Sequence, residues 1–517
     1  MPCWQDPQRT SSTRVRPPQR KKESVVESAD TVVIGSGITG LLVARELLDA
    51  GEEVTIVERG SLRLDADSMP LSQREDRLPS TEHNTDPSPR RGGHPWLYGY
   101  AFGGSSLTWS GVAPRLLPSD FETRSRFGIW RDWPIGYEDL LPFYRLAEQA
   151  LSVSGAPSEL FPGSDSYPVA PPAPSATDRL LGPLLEPFGP LPLARPAIDS
   201  KPYPPPLEDT VETVEQSFTM LEIARALVES PGFSVVDRTV AARFRTSGDR
   251  VTAVECIGAD GSRTEIAPRR VVAAAHGIEN AALLLRSGLD GPSVGRWLGA
   301  HTHVVLDIEL NRTIDHSDAE TRDSGISYAW ADGAWRSERA SAIVIPFNPG
   351  LLLRDSIVEA LADGRKGRDL RRELSNRFAK TAVVYVSLED LPRRDRFVEL
   401  SSKRDKLGLP RSHVSYPPDS DYVERGLQEV CRGLQQRLAP LGARVVGRHL
   451  GGRGGHMLGT CFMGPEGVVD ENLRHHRIGN LYLAGGSAFP THSALHPTVT
   501  IAALAMRLGR HLASHRA

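Results

Sequence analysis

Residues 29–60 read ADTVVIGSGITGLLVARELLDAGEEVTIVERG, and the order of features within them decides the fold. The apolar, β-branched run Thr31–Ile34 has the makeup of a strand buried on both faces of a parallel sheet. Gly35, Ser36 and Gly37 form a turn, Gly40 completes the pattern GxGxxG, and an amphipathic helix runs from about Ile38 to Ala50 before Gly51 stops it. A second strand, EVTIV, delivers Glu58 eighteen residues after Gly40. Each glycine meets a separate demand. Gly35 allows the tight turn, Gly37 lets backbone approach a pyrophosphate, and Gly40 lets helix pack on strand. The helix N-terminus adds amide N–H groups and a positive dipole for the phosphates. Glu58 is placed to bond both hydroxyls of an adenosine ribose, and an acid there opposes the 2′-phosphate of NADP. Strand, turn, helix, strand and acid together predict a dinucleotide-binding unit for FAD or NAD.

The 517 residues correspond to roughly three domain-sized units by length. With 39% hydrophobic and 24% charged residues the composition is that of a globular protein, and a net charge of -3 gives no electrostatic case for nucleic acid or an anionic membrane as partner. Cys3, Cys256, Cys431 and Cys461 lie far apart without CxxC spacing, so they offer no framework for disulfides or a metal, and a reducing compartment is the simpler expectation. No apolar run approaches the length of a membrane helix. The basic N-terminal stretch, residues 1–28, has no apolar core, which predicts a disordered tail rather than a secretory signal and a cytoplasmic protein.

Further along, residues 61–95 lose all periodicity, as a functional or disordered loop would. GGSSLTWSGVAPR follows, where Gly103, Gly104 and Ser105 can either lie against a planar ligand or form a plain loop. Fifteen prolines between Pro157 and Pro206 predict an excursion rather than core. Strands and a small-residue turn recur around FSVVDRTVAARFRT, RVTAVECIG and RRVVAAAHGIENAALLLRSG. Residues 301–445 then mix strands with charged helices, and the chain returns to NLYLAGGSAFP and an apolar C-terminal helix. The expected architecture is α/β, with a discontinuous Rossmann-like nucleotide domain and a second, mixed-sheet α+β domain. The expected division is a tail to residue 28, nucleotide-domain parts at 29–124, 215–300 and 448–517, the Pro-rich excursion with a first substrate-domain part at 125–214, and the rest of that domain at 301–447.

With VVIGSGITGLLVARELLDAGEEVTIVERG, GGSSLTWSGVAPRLLPSDF, DWPIGYEDLLPFYRLAE, VVAAAHGIENAALLLRSG, VGRWLGAHT, HMLGTCFMG, GVVDENLRHHRIGNLYLAGGSAFP and HPTVTIAALA in this order, the chain resembles the glucose–methanol–choline (GMC) flavin oxidoreductases over nearly its whole length beyond the tail. The resemblance implies FAD as cofactor and oxidation of an alcohol to a carbonyl by hydride transfer to flavin N5. It implies that Glu58 holds the adenosine ribose and that Val240 touches adenine through its backbone. Gly103, Gly104 and Ser105 would lie against the flavin, and Gly486, Ser487, Pro497 and Thr498 would approach the ribityl chain and ring. His456, of HMLGTCFMG, would be the general base, and His496, before Pro-Thr, would hold the substrate oxygen. Flavinylated relatives carry His where this chain has Thr108, so FAD is expected to be non-covalent. Trp109 stands where many relatives carry Asn and resembles the pyranose-oxidase and glucoside-dehydrogenase branches. The expected substrate is therefore a sugar, a cyclitol or a glycosylated natural product, with oxygen or another acceptor taking the electrons.

The same residues have plainer readings. Met457, Phe462, Met463 and Cys461 read as packing, and the run RKGRDLRR as a solvated helix face. His475 and His476 read as an exposed turn, His276 and His301 carry no assigned chemistry, and His492 either packs or faces substrate. No metal site is expected. A hydroxynitrile-lyase-like enzyme that keeps FAD without redox chemistry is the main alternative, followed by an inactive flavin-binding protein and an NAD-linked dehydrogenase.

Overall fold

The computed structural model describes residues 26–65, 85–86, 99–194, 218–315, 324–347, 357, 360–450 and 456–515. Most of the expected basic tail, most of the 61–95 loop and the end of the Pro-rich stretch lie outside these residues.

Thr31, Val32 and Val33 are wholly buried, as a strand covered on both faces requires. Their strand, Val26–Ile34, lies in a seven-stranded sheet between Val54–Val57 and Arg263–Ala273, parallel to both, with Ile34 opposite Val57 on one side and Ala273 on the other. Phe233–Val236 extends one edge in parallel, and Leu481–Leu483 adds in parallel to Arg263–Ala273. Arg250–Gly258 and Thr239–Ser247 complete the sheet as antiparallel strands. Three stretches distant in sequence thus build one Rossmann-like sheet, the discontinuous α/β arrangement the sequence predicts. The helix Ile38–Asp49 packs on the C-terminal helix Thr498–Ser514, where Gly509 brings the two together at Glu46.

A second sheet is antiparallel at every pairing among the described residues. Its order is Arg444–Leu450, Thr302–Glu309, Thr381–Leu388, Ala342–Phe347, Gly325–Trp330, then the short edge strand Phe188–Pro190. The helix Asp421–Arg437 covers one face with Tyr422, Val423, Leu427, Val430 and Leu434. Its other face turns toward the first unit, and Ile326, Tyr328, Ile343 and Ile345 join the larger core there.

The Pro-rich stretch corrects the expectation of an excursion. Phe161, Leu181, Leu185 and Leu191 are buried, and Phe188–Pro190 pairs with Gly325–Ser327. Proline lacks an N–H but is tolerated at a sheet edge, so a Pro-rich segment can close this sheet while its apolar neighbours face inward. No helix among the described residues is long and apolar enough to cross a membrane.

Candidate active site

The turn after the first strand is built as its sequence demands. Gly35 has φ +97°, a left-handed conformation suited to glycine, and a Cβ on Gly40 would sit 1.9 Å from the Gly35 carbonyl oxygen. Nothing lies within 4 Å of where a Cβ on Gly37 would project, so that face of the turn is open. Glu58 closes the turn from the neighbouring strand. One carboxylate oxygen accepts the Ser36 N–H at 2.9 Å and the Ser36 hydroxyl at 2.6 Å, and the other accepts the Gly60 N–H at 2.7 Å. Burial raises the Glu58 pKa, with these hydrogen bonds opposing the shift.

A cavity of about 910 Å³ opens from this turn. Gly35, Ser36, Gly37, Glu58, Gly104, Ser105, Val240, Gly486, Pro497 and Thr498 line it, and so do His456 and His496. Three other expected cofactor residues stand behind the wall. Gly40 packs helix against turn. Gly103, at φ +99°, donates its N–H to the Ser36 hydroxyl at 3.1 Å. Ser487 is buried in a polar knot, accepting from Asn280 Nδ2 at 2.9 Å and donating to the Ala484 carbonyl at 3.2 Å. A glycine cradle open at Gly37, with a buried carboxylate beside it, fits the pyrophosphate and ribose of a dinucleotide.

The histidines are the centre of the site, and there are more of them than the motifs announce. The His456 and His496 ring centroids lie 4.7 Å apart. His301 and His303 join them from the strand Thr302–Glu309 and the residue before it, where alternation puts both on one face. His301 lies 4.8 Å from His456 between centroids, and His303 lies 5.9 Å from His496. Tyr385, on the adjacent strand, packs its ring at a tilt against His303, 4.8 Å between centroids, and both line the cavity. The sequence motifs give no role to His301 and do not point to His303 or Tyr385. The signal was the HTH alternation at 301–303 entering a strand.

Burial, followed by the neighbouring imidazoles, holds His456 and His496 well below the usual histidine pKa of 6.5. Both rings are neutral at physiological pH. His496 Nε2 is buried without a hydrogen-bond partner among the described residues. His301, His303 and His456 are also the one group among the described residues with a metal-capable donor set, their nitrogens lying within 4.8 Å of one another.

The expectation for His475 changes, and one of the two readings open for His492 is observed. His475 is buried, not exposed, because its ring turns inward and Nδ1 accepts the Arg477 and Ile478 N–H groups at 3.1 and 3.2 Å. His476 remains exposed. His492 packs rather than facing the cavity. Its ring fills the space beside Gly299 and Gly459, where a Cβ would come within 1.6 and 3.0 Å of it. Trp109 lines the cavity and donates its indole N–H to the Phe218 carbonyl at 2.6 Å. Burial pushes the Cys461 thiol up to about 12, which makes it a packing group.

A dinucleotide cradle continuous with a nest of neutral imidazoles defines a nucleotide-dependent oxidoreductase. Comparison with known proteins makes the class specific. Family models described as GMC oxidoreductase match residues 215–303 and 392–505. The fructose dehydrogenase large subunit of Gluconobacter japonicus is 26% identical, over 93% of this chain and 97% of that protein. The 6'''-hydroxyparomomycin C oxidase of Streptomyces lividus is 28% identical, over 94% of this chain and 92% of that one. Among solved structures, pyridoxine 4-oxidase from Mesorbium loti superposes with a TM-score of 0.66 at 20% identity, covering 95% of this chain and 100% of that one, which shows a shared fold. The chain belongs to the GMC oxidoreductases, and it is an FAD-dependent oxidase or dehydrogenase acting on CH–OH groups.

Proposed function

We propose that His456 is the general base and His496 the oxygen-holding partner in oxidation of a hydroxyl on a sugar, cyclitol or glycosylated natural product. The observation that carries this reading is the pair of neutral imidazoles, 4.7 Å apart, in the wall of the cofactor cavity. An alcohol carbon gives up its hydrogen only when its oxygen bears developing negative charge. A neutral imidazole within reach of the hydroxyl takes the proton that allows this. His496 Nε2, buried and unpartnered among the described residues, meets the same oxygen, and that contact relieves an otherwise costly buried polar atom. When bound, FAD supplies the acceptor for the hydrogen and electron pair leaving the carbon. Glu58 and the open face at Gly37 would hold its adenosine ribose and pyrophosphate, and Thr108, having no imidazole, leaves it non-covalent. The substrate class is supported by the relatives named for fructose and for 6'''-hydroxyparomomycin C.

Anaerobic stopped-flow reduction of FAD-loaded variants by a turned-over sugar alcohol tests the assignment. General-base catalysis contributes about 10² to 10⁴-fold, so His456→Ala should slow reduction by that much. His496→Asn should cost less, because the amide still donates a hydrogen bond. Near wild-type reduction in His456→Ala would overturn the base assignment. A larger loss in His496→Asn would exchange the roles.

A further inference from the structure

We infer that His301 is a positioning residue that fixes which nitrogen of His456 carries the proton. The inference rests on the reading of His456 as the base. It begins with the backbone. Gly299 and Leu458 form an isolated antiparallel bridge, Gly299 N–H donating to the Leu458 carbonyl at 3.0 Å and Leu458 N–H to the Gly299 carbonyl at 2.9 Å. Two residues along each strand from that bridge, in opposite directions, stand His301 and His456, so the pairing itself brings the rings together. Gly299 is needed there because His492 occupies the space of a Cβ.

The hydrogen bonds then determine the tautomers. His301 Nε2 bonds the Ser493 carbonyl, which can only accept, so Nε2 carries a hydrogen. Burial lowers the His301 pKa to about 4, the Ser493 and Leu495 carbonyls only partly offsetting it, so the ring has one N–H at neutral pH. Its Nδ1 is therefore a bare acceptor. That atom lies 2.7 Å from His456 Nδ1, which must be the donor. His456 is thereby fixed as the Nδ1–H tautomer, and the lone pair that takes a substrate proton is on Nε2. Imidazole and peptide together orient the base as a carboxylate does in a hydrolase triad. The peptide is itself held: the Ser493 hydroxyl donates to Asp120 at 2.7 Å and accepts the Leu495 N–H at 3.1 Å. The other titratable groups around the pair are His303 and Tyr385 from the second sheet and His492 and His496 from the loop carrying Ser493.

Nitrogen-15 NMR of the histidine-labelled holoenzyme, assigned with a His456→Ala sample, reads the tautomer directly. A proton on His456 Nδ1 and none on Nε2 is expected, and the reverse overturns the proposal whatever the activity. Two variants separate the ends of the His301 ring. His301→Asn places a carbonyl oxygen near the Nδ1 position and keeps an acceptor for His456. His301→Gln places an amide nitrogen near Nε2 and keeps only the donor to Ser493. With FAD saturated, His301→Asn should reduce within about 3-fold of wild type with an unchanged pH profile. His301→Gln should lose about 10-fold or more, its acid limb should move, and the His456 NMR signal should show mixed tautomers. Equal reduction rates and equal profiles in the two variants would overturn the proposal. Normal reduction in His456→Ala beside a confirmed Nδ1–H tautomer would instead sink the base assignment and leave the tautomer result standing.

Discussion

Replacing Glu58 with Gln changes one atom and should loosen the cofactor without touching the chemistry. The carboxylate accepts from the Ser36 N–H, the Ser36 hydroxyl and the Gly60 N–H, two donors on one oxygen and one on the other. Glutamine has one acceptor oxygen and one donor nitrogen, so whichever way it turns an amide hydrogen faces a backbone N–H. A hydrogen bond to a charged acceptor contributes about 1.5–3 kcal/mol, and its loss falls on the turn that receives the pyrophosphate. At about 1.4 kcal/mol per tenfold, FAD affinity should fall roughly 10- to 150-fold. The lower end is expected, because burial already disfavours the charge on Glu58 and a neutral amide escapes that cost. Fluorescence titration of FAD into apoprotein measures the constant, and turnover at saturating FAD measures the chemistry. An unchanged affinity would refute the role of Glu58. Collapsed turnover in the saturated variant would refute its separation from the reacting atoms.

Two alanine substitutions should separate folding from binding in the same turn: Gly40→Ala drives a Cβ to 1.9 Å from a backbone oxygen and should lower the melting temperature, whereas Gly37→Ala meets nothing within 4 Å, so the apoprotein should melt normally yet fail to bind FAD. Acid should destabilise the fold through His276 and His301, both lowered by burial from 6.5 to about 4. Below pH 6.5 the unfolded chain takes up protons that the folded rings refuse, so stability should be lost progressively from pH 6.5 toward 4, by at most about 3 kcal/mol per ring, and denaturant titrations at stepped pH should show that slope.

The nucleotide half of the site was legible because its signals are local. Gly35, Gly37, Gly40 and Glu58 lie within two dozen residues, and each is dictated by backbone geometry that any such turn must satisfy. The histidine nest was legible only in part. His456 and His496 stood in recognisable motifs, whereas His301 gains its meaning from a partner 155 residues away through the Gly299–Leu458 bridge. No pattern in the sequence around either histidine announces that bridge. His475 misled for a related reason. A polar residue in a turn reads as exposed, but this one is drawn inward by two N–H groups of its own turn. The Pro-rich stretch misled because proline frequency says nothing of the leucines between, and Leu181, Leu185 and Leu191 are the residues that decide burial there.

The loop before His496 is held by polar contacts as well as by the buried Phe489 and Leu495, and the polar ones bear on how the site keeps its geometry. Trp130 and Trp133 donate indole N–H groups to the Pro490 carbonyl and the Thr491 hydroxyl at 2.7 and 2.6 Å, and Asp120 receives Ser493. Asp120 is itself paired with Arg336 at 2.8 Å, and Arg336 with Glu389 at 2.7 Å, all three side chains buried where the second sheet meets the loop. Burying an arginine between two carboxylates is not a cheap way to gain stability, and an apolar seam of equal volume would serve the fold as well. Apolar surfaces, however, tolerate sliding, while three directional partners admit one register. The position that register fixes is the Ser493 carbonyl, and through it the His301 ring and the proton on His456. On the roles proposed for His301 and His456, the charge cluster at the seam sets the placement of the base's lone pair, which none of its members touches.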